Sequence, residues 1–123
     1  MTGITINWTD SRQMALLLDF PDEWTWDDLY LIEGAVCEHA ATVTHAIDLV
    51  YLVEGQKSLP KNYFRHLRSV ADRYPDNVGL VIWTGCNRLA VEMIRSVARS
   101  YPDLAQRYAF AEDLAEALRY PGP

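Results

Sequence analysis

The sequence predicts an α/β domain in the order β-β-α-β-α-β-α-β-α, a mostly parallel sheet of about five strands with one antiparallel edge strand and four helices. Three observations predict it. Ala46–Val53 and Val78–Thr84 are almost wholly apolar, as are interior strands covered on both faces. Segments with apolar residues at three- to four-residue spacing separate such runs, so a helix connects each strand to the next. Finally, Arg68–Asp76 (RSVADRYPD) returns 27 residues later as Arg95–Asp103 (RSVARSYPD), identical at seven of nine positions. Roughly thirty residues is the length of one strand-helix unit with its loops.

In chain order, Ile4–Trp8 alternates apolar and polar residues, and Met14–Phe20 forms a second strand across the polar loop Thr9–Gln13. Pro21 ends it, having no N–H for the ladder. Thr25 is placed to cap a helix whose first turn carries Asp27 and Asp28, where the helix dipole favours negative charge. That helix runs to about Ala41 and buries Leu29, Ile32 and Val36. The third strand, Ala46–Val53, contains one charged residue, Asp48. A helix from Pro60 to Arg73 follows, then the fourth strand, then a helix after Gly85-Cys86-Asn87, a short strand at Tyr108–Phe110, and a last helix from Glu112 to about Arg119. In both copies of the repeat the tyrosine folds onto the core, the proline stops the helix and the aspartate shapes the turn; Arg119-Tyr120-Pro121 echoes that ending.

Composition bounds the function. With 123 residues, 50% hydrophobic and 23% charged, the chain is expected to fold as a single domain over residues 1–123, without metal or disulfide. A net charge of −6 repels phosphate backbones, so nucleic acid is not an expected partner. The opening residues lack the pattern of a signal peptide, and the two cysteines form no paired motif; a cytoplasmic protein with free thiols is expected. No apolar run reaches the length of a transmembrane helix.

No phosphate-binding glycine loop, nucleophile elbow or zinc signature occurs, and His39, His45 and His66 lack metal-site spacing, so no cofactor, metal or catalytic residue is expected. Two loops are candidates for binding an anion or a partner. One holds Ser58 ahead of a helix. The other is Gly85-Cys86-Asn87-Arg88, after a buried parallel strand, where open α/β sheets place ligands. Cys86 there could be an acidified thiol and Arg88 an anion clamp; the alternative, which we prefer, is that Gly85 makes the turn, Asn87 caps the helix and Cys86 fills space. Trp24, Trp26, Tyr51 and Trp83 are candidates for an apolar interface or ligand face, because large aromatics serve cores and interfaces alike.

Trp24-Thr25-Trp26, Ile47-Asp48-Leu49-Val50, Ser58-Leu59-Pro60, Val78–Ile82 and Phe110–Leu118 together resemble the STAS-like (SpoIIAA-like) superfamily, whose fold also includes lipid-transfer domains of the CRAL-TRIO type. The resemblance covers nearly the whole chain as a pattern. It implies helices mainly on one sheet face and a regulatory role more often than an enzymatic one; the strand residues of the other parity then need cover, from a homodimer or another regulatory protein first. A small apolar or lipid-like ligand is the alternative, and a thiol-dependent enzyme a third. In anti-sigma-factor antagonists of this fold a serine in an Asp-Ser-Ser/Thr-Gly motif is phosphorylated. The corresponding loop here, Glu54–Pro60, holds Ser58 without the aspartate and glycine, so a helix-capping role is preferred for it.

Overall fold

The computed structural model describes residues 3–54 and 59–120. Its elements are β1 (Thr5–Trp8), β2 (Ala15–Asp19), α1 (Trp26–Ala40), β3 (Ile47–Leu52), α2 (Tyr63–Asp72), β4 (Val78–Thr84), α3 (Arg88–Ser100), α4 (Pro102–Arg107), β5 (Tyr108–Ala111) and α5 (Leu114–Ala117). One five-stranded sheet runs β1-β2-β3-β4-β5, with β1 antiparallel to β2 and every later pair parallel. Each crossover therefore moves to the adjacent strand, and crossovers of one hand stack their helices on one face.

Burial follows that geometry. Leu16 and Leu18 of β2, Leu49 and Tyr51 of β3, and Val81 and Trp83 of β4 pack in one cluster with Leu29 and Val36 of α1, Val70 of α2, Ile94 of α3 and Leu104 of α4. The opposite side chains, Val50, Ile82 and Ala111, meet only Ala117 of α5 as a buried partner and form a second, smaller cluster. One face is roofed by four helices. The other has a roof of four residues.

Local chemistry explains the helix ends. Thr25 Oγ1 accepts from Asp28 N–H at 3.2 Å while Asp28 Oδ2 accepts from Thr25 N–H at 2.9 Å, a closed capping box at the start of α1. Asn87 Oδ1 caps α3 through Ala90 N–H at 2.9 Å, and Asp113 Oδ1 caps α5 through Glu116 N–H at 2.9 Å.

Two expectations are corrected. The second helix starts at Tyr63, not Pro60, and its cap position is Asn62 with φ +65°; Ser58, for which a capping role is expected, lies outside the described residues. Among the described residues there are five helices, not four. In the first repeat copy Pro75 does lead through a turn to β4, but in the second Pro102 opens α4, because proline's fixed φ suits a first helical turn as well as it blocks an interior.

Asp48 has a specific structural task. The register between β3 and β4 shifts between Ile47 and Leu49, so β4 carries an extra residue there, and Asp48 Oδ1 accepts the freed N–H of Leu80 at 2.8 Å.

Candidate functional site

The Gly85–Arg88 loop leaves the C-terminal end of β4 as expected. Gly85 adopts φ +77° and donates its N–H to Ala111 O at 3.0 Å, binding the loop to the end of β5. A Cβ at position 85 would collide with the Glu54 side chain, so the ends of β3 and β4 approach closely here. A hollow of about 440 Å³ opens beside the loop and brings Trp83, Cys86 and Arg88 together with Arg95, Phe110 and Glu112, the Arg95 guanidinium standing over the Phe110 ring at 5.1 Å.

The chemistry expected of an activated Cys86 is not built. Burial pushes the thiol up to about 12, the opposite of the lowering that a helix N-terminus and Arg88 would give. Carboxylates on the rim, Glu112 and Glu116, offset the two arginines, so the hollow has no excess of positive charge for an anion.

Trp24, Trp26, Tyr51 and Trp83 are interior, at 7%, 6%, 0% and 0% exposure. They belong to a row of rings under the helices: Trp26, Trp24, Phe20, Tyr51, Trp83 and Tyr108 follow one another at centroid separations of 4.8 to 5.8 Å. This row packs along the roofed side of the sheet; Trp83 borders the hollow beside Cys86, and Tyr108 is half-buried. Trp26 Nε1 also donates to Lys61 O at 2.8 Å, fastening the segment ahead of α2.

Polar groups the sequence reading passed over cluster beside this row. Glu33 of α1 is 3% exposed; Tyr51 Oη donates to its Oε1 at 3.3 Å and lies 2.9 Å from Tyr74 Oη. Burial pushes the Glu33 carboxyl up to about 7, against the opposing effects of the Tyr51 hydrogen bond and the Arg73 charge. A glutamate at a core-facing helical position was the available signal.

The histidines serve structure. His39 Nδ1 meets Ala35 O at 2.7 Å, His45 Nε2 meets Gln13 O at 2.8 Å, and His66 sits between the Trp26 ring and the Tyr30 hydroxyl, 2.7 Å from its Nδ1. Among the described residues no three His, Cys, Asp or Glu side chains gather as a metal site.

The opposite, lightly roofed face carries the better-formed site. A cleft of about 320 Å³ lies between the β1–β2 loop and the chain around α5. Val50, Ile82 and Ala117 give it an apolar floor, Asp48 a buried carboxylate, and Arg12 and Leu118 stand at its edges. Tyr120 Oη donates to Phe110 O at 2.6 Å and holds the C-terminal wall against β5. Ala15, Leu17 and Leu80 continue the apolar surface as half-buried residues packed on the same cluster. None of the candidate site residues lines this cleft: strand alternation separates Asp48, Val50 and Ile82 from Leu49, Tyr51 and Trp83, but which set the helices cover is decided by the crossovers.

No helix among the described residues is long and apolar enough to cross a membrane. No protein-family model, curated protein or solved structure matches the chain.

Proposed function

We propose that the chain is a non-catalytic binding module that senses or carries a small, largely apolar ligand in the cleft on the lightly roofed sheet face. One observation carries the reading: on the lightly roofed face Val50 and Ile82 floor a cleft of about 320 Å³ that also holds the buried carboxylate of Asp48, whereas the hollow of about 440 Å³ at the end of β4 is crowded with the charged side chains of Arg88, Glu92, Arg95, Glu112 and Glu116. That volume lies at the lower end of small-molecule pockets, and an apolar floor with a few polar groups is their usual chemistry. The cleft spans the β1–β2 loop and the α5 region, so an occupant bridges two separate parts of the chain. Such bridging is how a ligand would alter a regulatory surface. The suppressed thiol at Cys86 argues against thiol catalysis.

The test is a small-fragment screen read by methyl NMR on the full chain. Hits that shift Val50, Ile82 and Leu118 together, and are lost in Leu118→Trp, support the reading; hits scattered over the roofed face overturn it.

A second reading, the self-associating module implied by the STAS-like resemblance, is favoured by the half-buried Leu17 and Leu80 beside the cleft. A second copy on that face would cover them. Sedimentation should then show a concentration-dependent dimer that Leu17→Lys abolishes, and a strictly monomeric chain at high concentration removes this reading.

A further inference from the structure

We infer that the cleft selects a small organic cation, an ammonium or amidinium head on an apolar body, with its head on the carboxylate of Asp48. The inference rests on the reading of the cleft as a binding site and names its ligand class.

The argument starts from a charged residue in an interior strand. Asp48 is 4% exposed, and a buried carboxylate with up to four lone-pair sites needs several donors. It has one. Oδ1 takes the Leu80 N–H at the bulge, while Oδ2, which has no hydrogen-bond partner among the described residues, is not sealed in the interior and stays open to the cleft that Asp48 lines. Burial raises its affinity for a proton, with the Leu80 hydrogen bond only partly opposing, so the anion is under-compensated where it stands.

The lining does not supply the missing charge. Arg12 is the one cation lining the cleft among the described residues, and it is held by Asp10: Nε donates to Oδ2 at 3.0 Å and an Nη lies 2.9 Å from the same oxygen. Its side chain is 78% exposed at the rim and paired with Asp10, and no ion pair among the described residues joins it to Asp48. The cleft thus holds two carboxylates and one guanidinium. Within a chain of net charge −6 this attracts a cation and repels an anion. Val50, Ile82 and Ala117 then receive the apolar body.

The bulge also gives the test a clean variant. Asparagine at 48 keeps an oxygen for Leu80 N–H and removes only the charge. The probes are 2-phenylethylamine, neutral 2-phenylethanol and anionic 3-phenylpropionate, each titrated at pH 7 into the full-length chain and followed at the Val50 and Ile82 methyls. The amine should bind roughly tenfold tighter than the alcohol, as one close charge pair provides, and Asp48→Asn should abolish that preference, bringing amine and alcohol to a common level. Equal binding of amine and alcohol in the cleft, or amine binding indifferent to Asp48→Asn, overturns the cation assignment and leaves the cleft reading standing. Preference for the propionate, lost in Arg12→Gln, overturns it in favour of an anion site. If no probe up to millimolar concentration moves the cleft methyls, both readings fall. The comparison of the three probes on the unaltered chain needs no variant to fold.

Discussion

Arg68 lays two nitrogens on the two carboxylate oxygens of Asp103, Nη1 on Oδ1 and Nη2 on Oδ2, each at 2.9 Å. These are the first residue of the first repeat copy and the last of the second, so the internal repeat is closed on itself by a bidentate pair. Arg68 also reaches Asp72 Oδ1 at 2.8 Å and stands over the Tyr101 ring at 4.9 Å. Asp103 is 63% exposed, which limits the pair's coupling in a double-mutant cycle to below about 1 kcal/mol, whereas Arg68→Ala also loses the stacking and costs about 1–2 kcal/mol by urea unfolding. The Arg68 hydrogen bonds hold the Asp103 carboxyl below the usual carboxylate range, so this stabilisation is present above that range and is lost as pH falls through the lowered value.

Glu33 reverses that sign. Its folded pKa, about 7, lies above the ordinary 4.5, so the native chain holds the proton more tightly than the unfolded one. Stability from this group is full below the ordinary value and falls as pH rises through 7, by about 3 kcal/mol at most. Glu33→Gln should remove that slope and be the more stable form at pH 8. Urea midpoints at pH 5 and pH 8 measure it, and a wild-type slope retained in the variant would reassign the titration.

Asp48 is testable for stability apart from any ligand. Asp48→Ala leaves the Leu80 N–H unpaired at the bulge and should cost about 1–3 kcal/mol, while Asp48→Asn retains an acceptor and should cost less than about 1 kcal/mol. Equal losses in chemical denaturation would show that the charge, not the hydrogen bond, matters to the strand.

The two thiols should react in a fixed order. Cys37 is exposed, whereas Cys86 is half-buried with its thiol pushed up to about 12, so at pH 7 Cys86 presents far less thiolate than an unperturbed thiol. Timed iodoacetamide labelling with peptide mass spectrometry should find Cys37 modified first and Cys86 only on unfolding. Faster labelling of Cys86 would restore an activated thiol.

Gly85→Ala should destabilise by at least about 1–2 kcal/mol, because an L side chain is strained at φ +77° and its Cβ would also run into Glu54. Glu54→Ala in the same chain should recover the collision part alone, as thermal melting of the single and double variants will show.

How far the sequence could be read varies by element. Thr25 and Asn87 were legible as caps because an N-cap acts through a backbone N–H two or three positions along the chain. The Tyr-Pro-Asp endings were legible as a repeat but not as two outcomes: Pro75 ends one helix region and Pro102 begins another, since proline fits either role and its surroundings choose. Asp48 stood out as the single charge in an apolar strand, yet its partner Leu80 is 32 residues away and no local pattern encodes it.

The sequence by itself determined the strand-helix alternation, one antiparallel edge strand, the starts of α1 and α3 and the absence of a recognised catalytic motif, all properties of near neighbours in the chain. Only the tertiary structure decided the rest. It buried Trp24, Trp26, Tyr51 and Trp83 in one row, raised the Cys86 thiol instead of lowering it, and left the cleft around Asp48 on the other face. The reason is geometric: side chains alternate between sheet faces, and which face the helices cover depends on crossover direction and strand order.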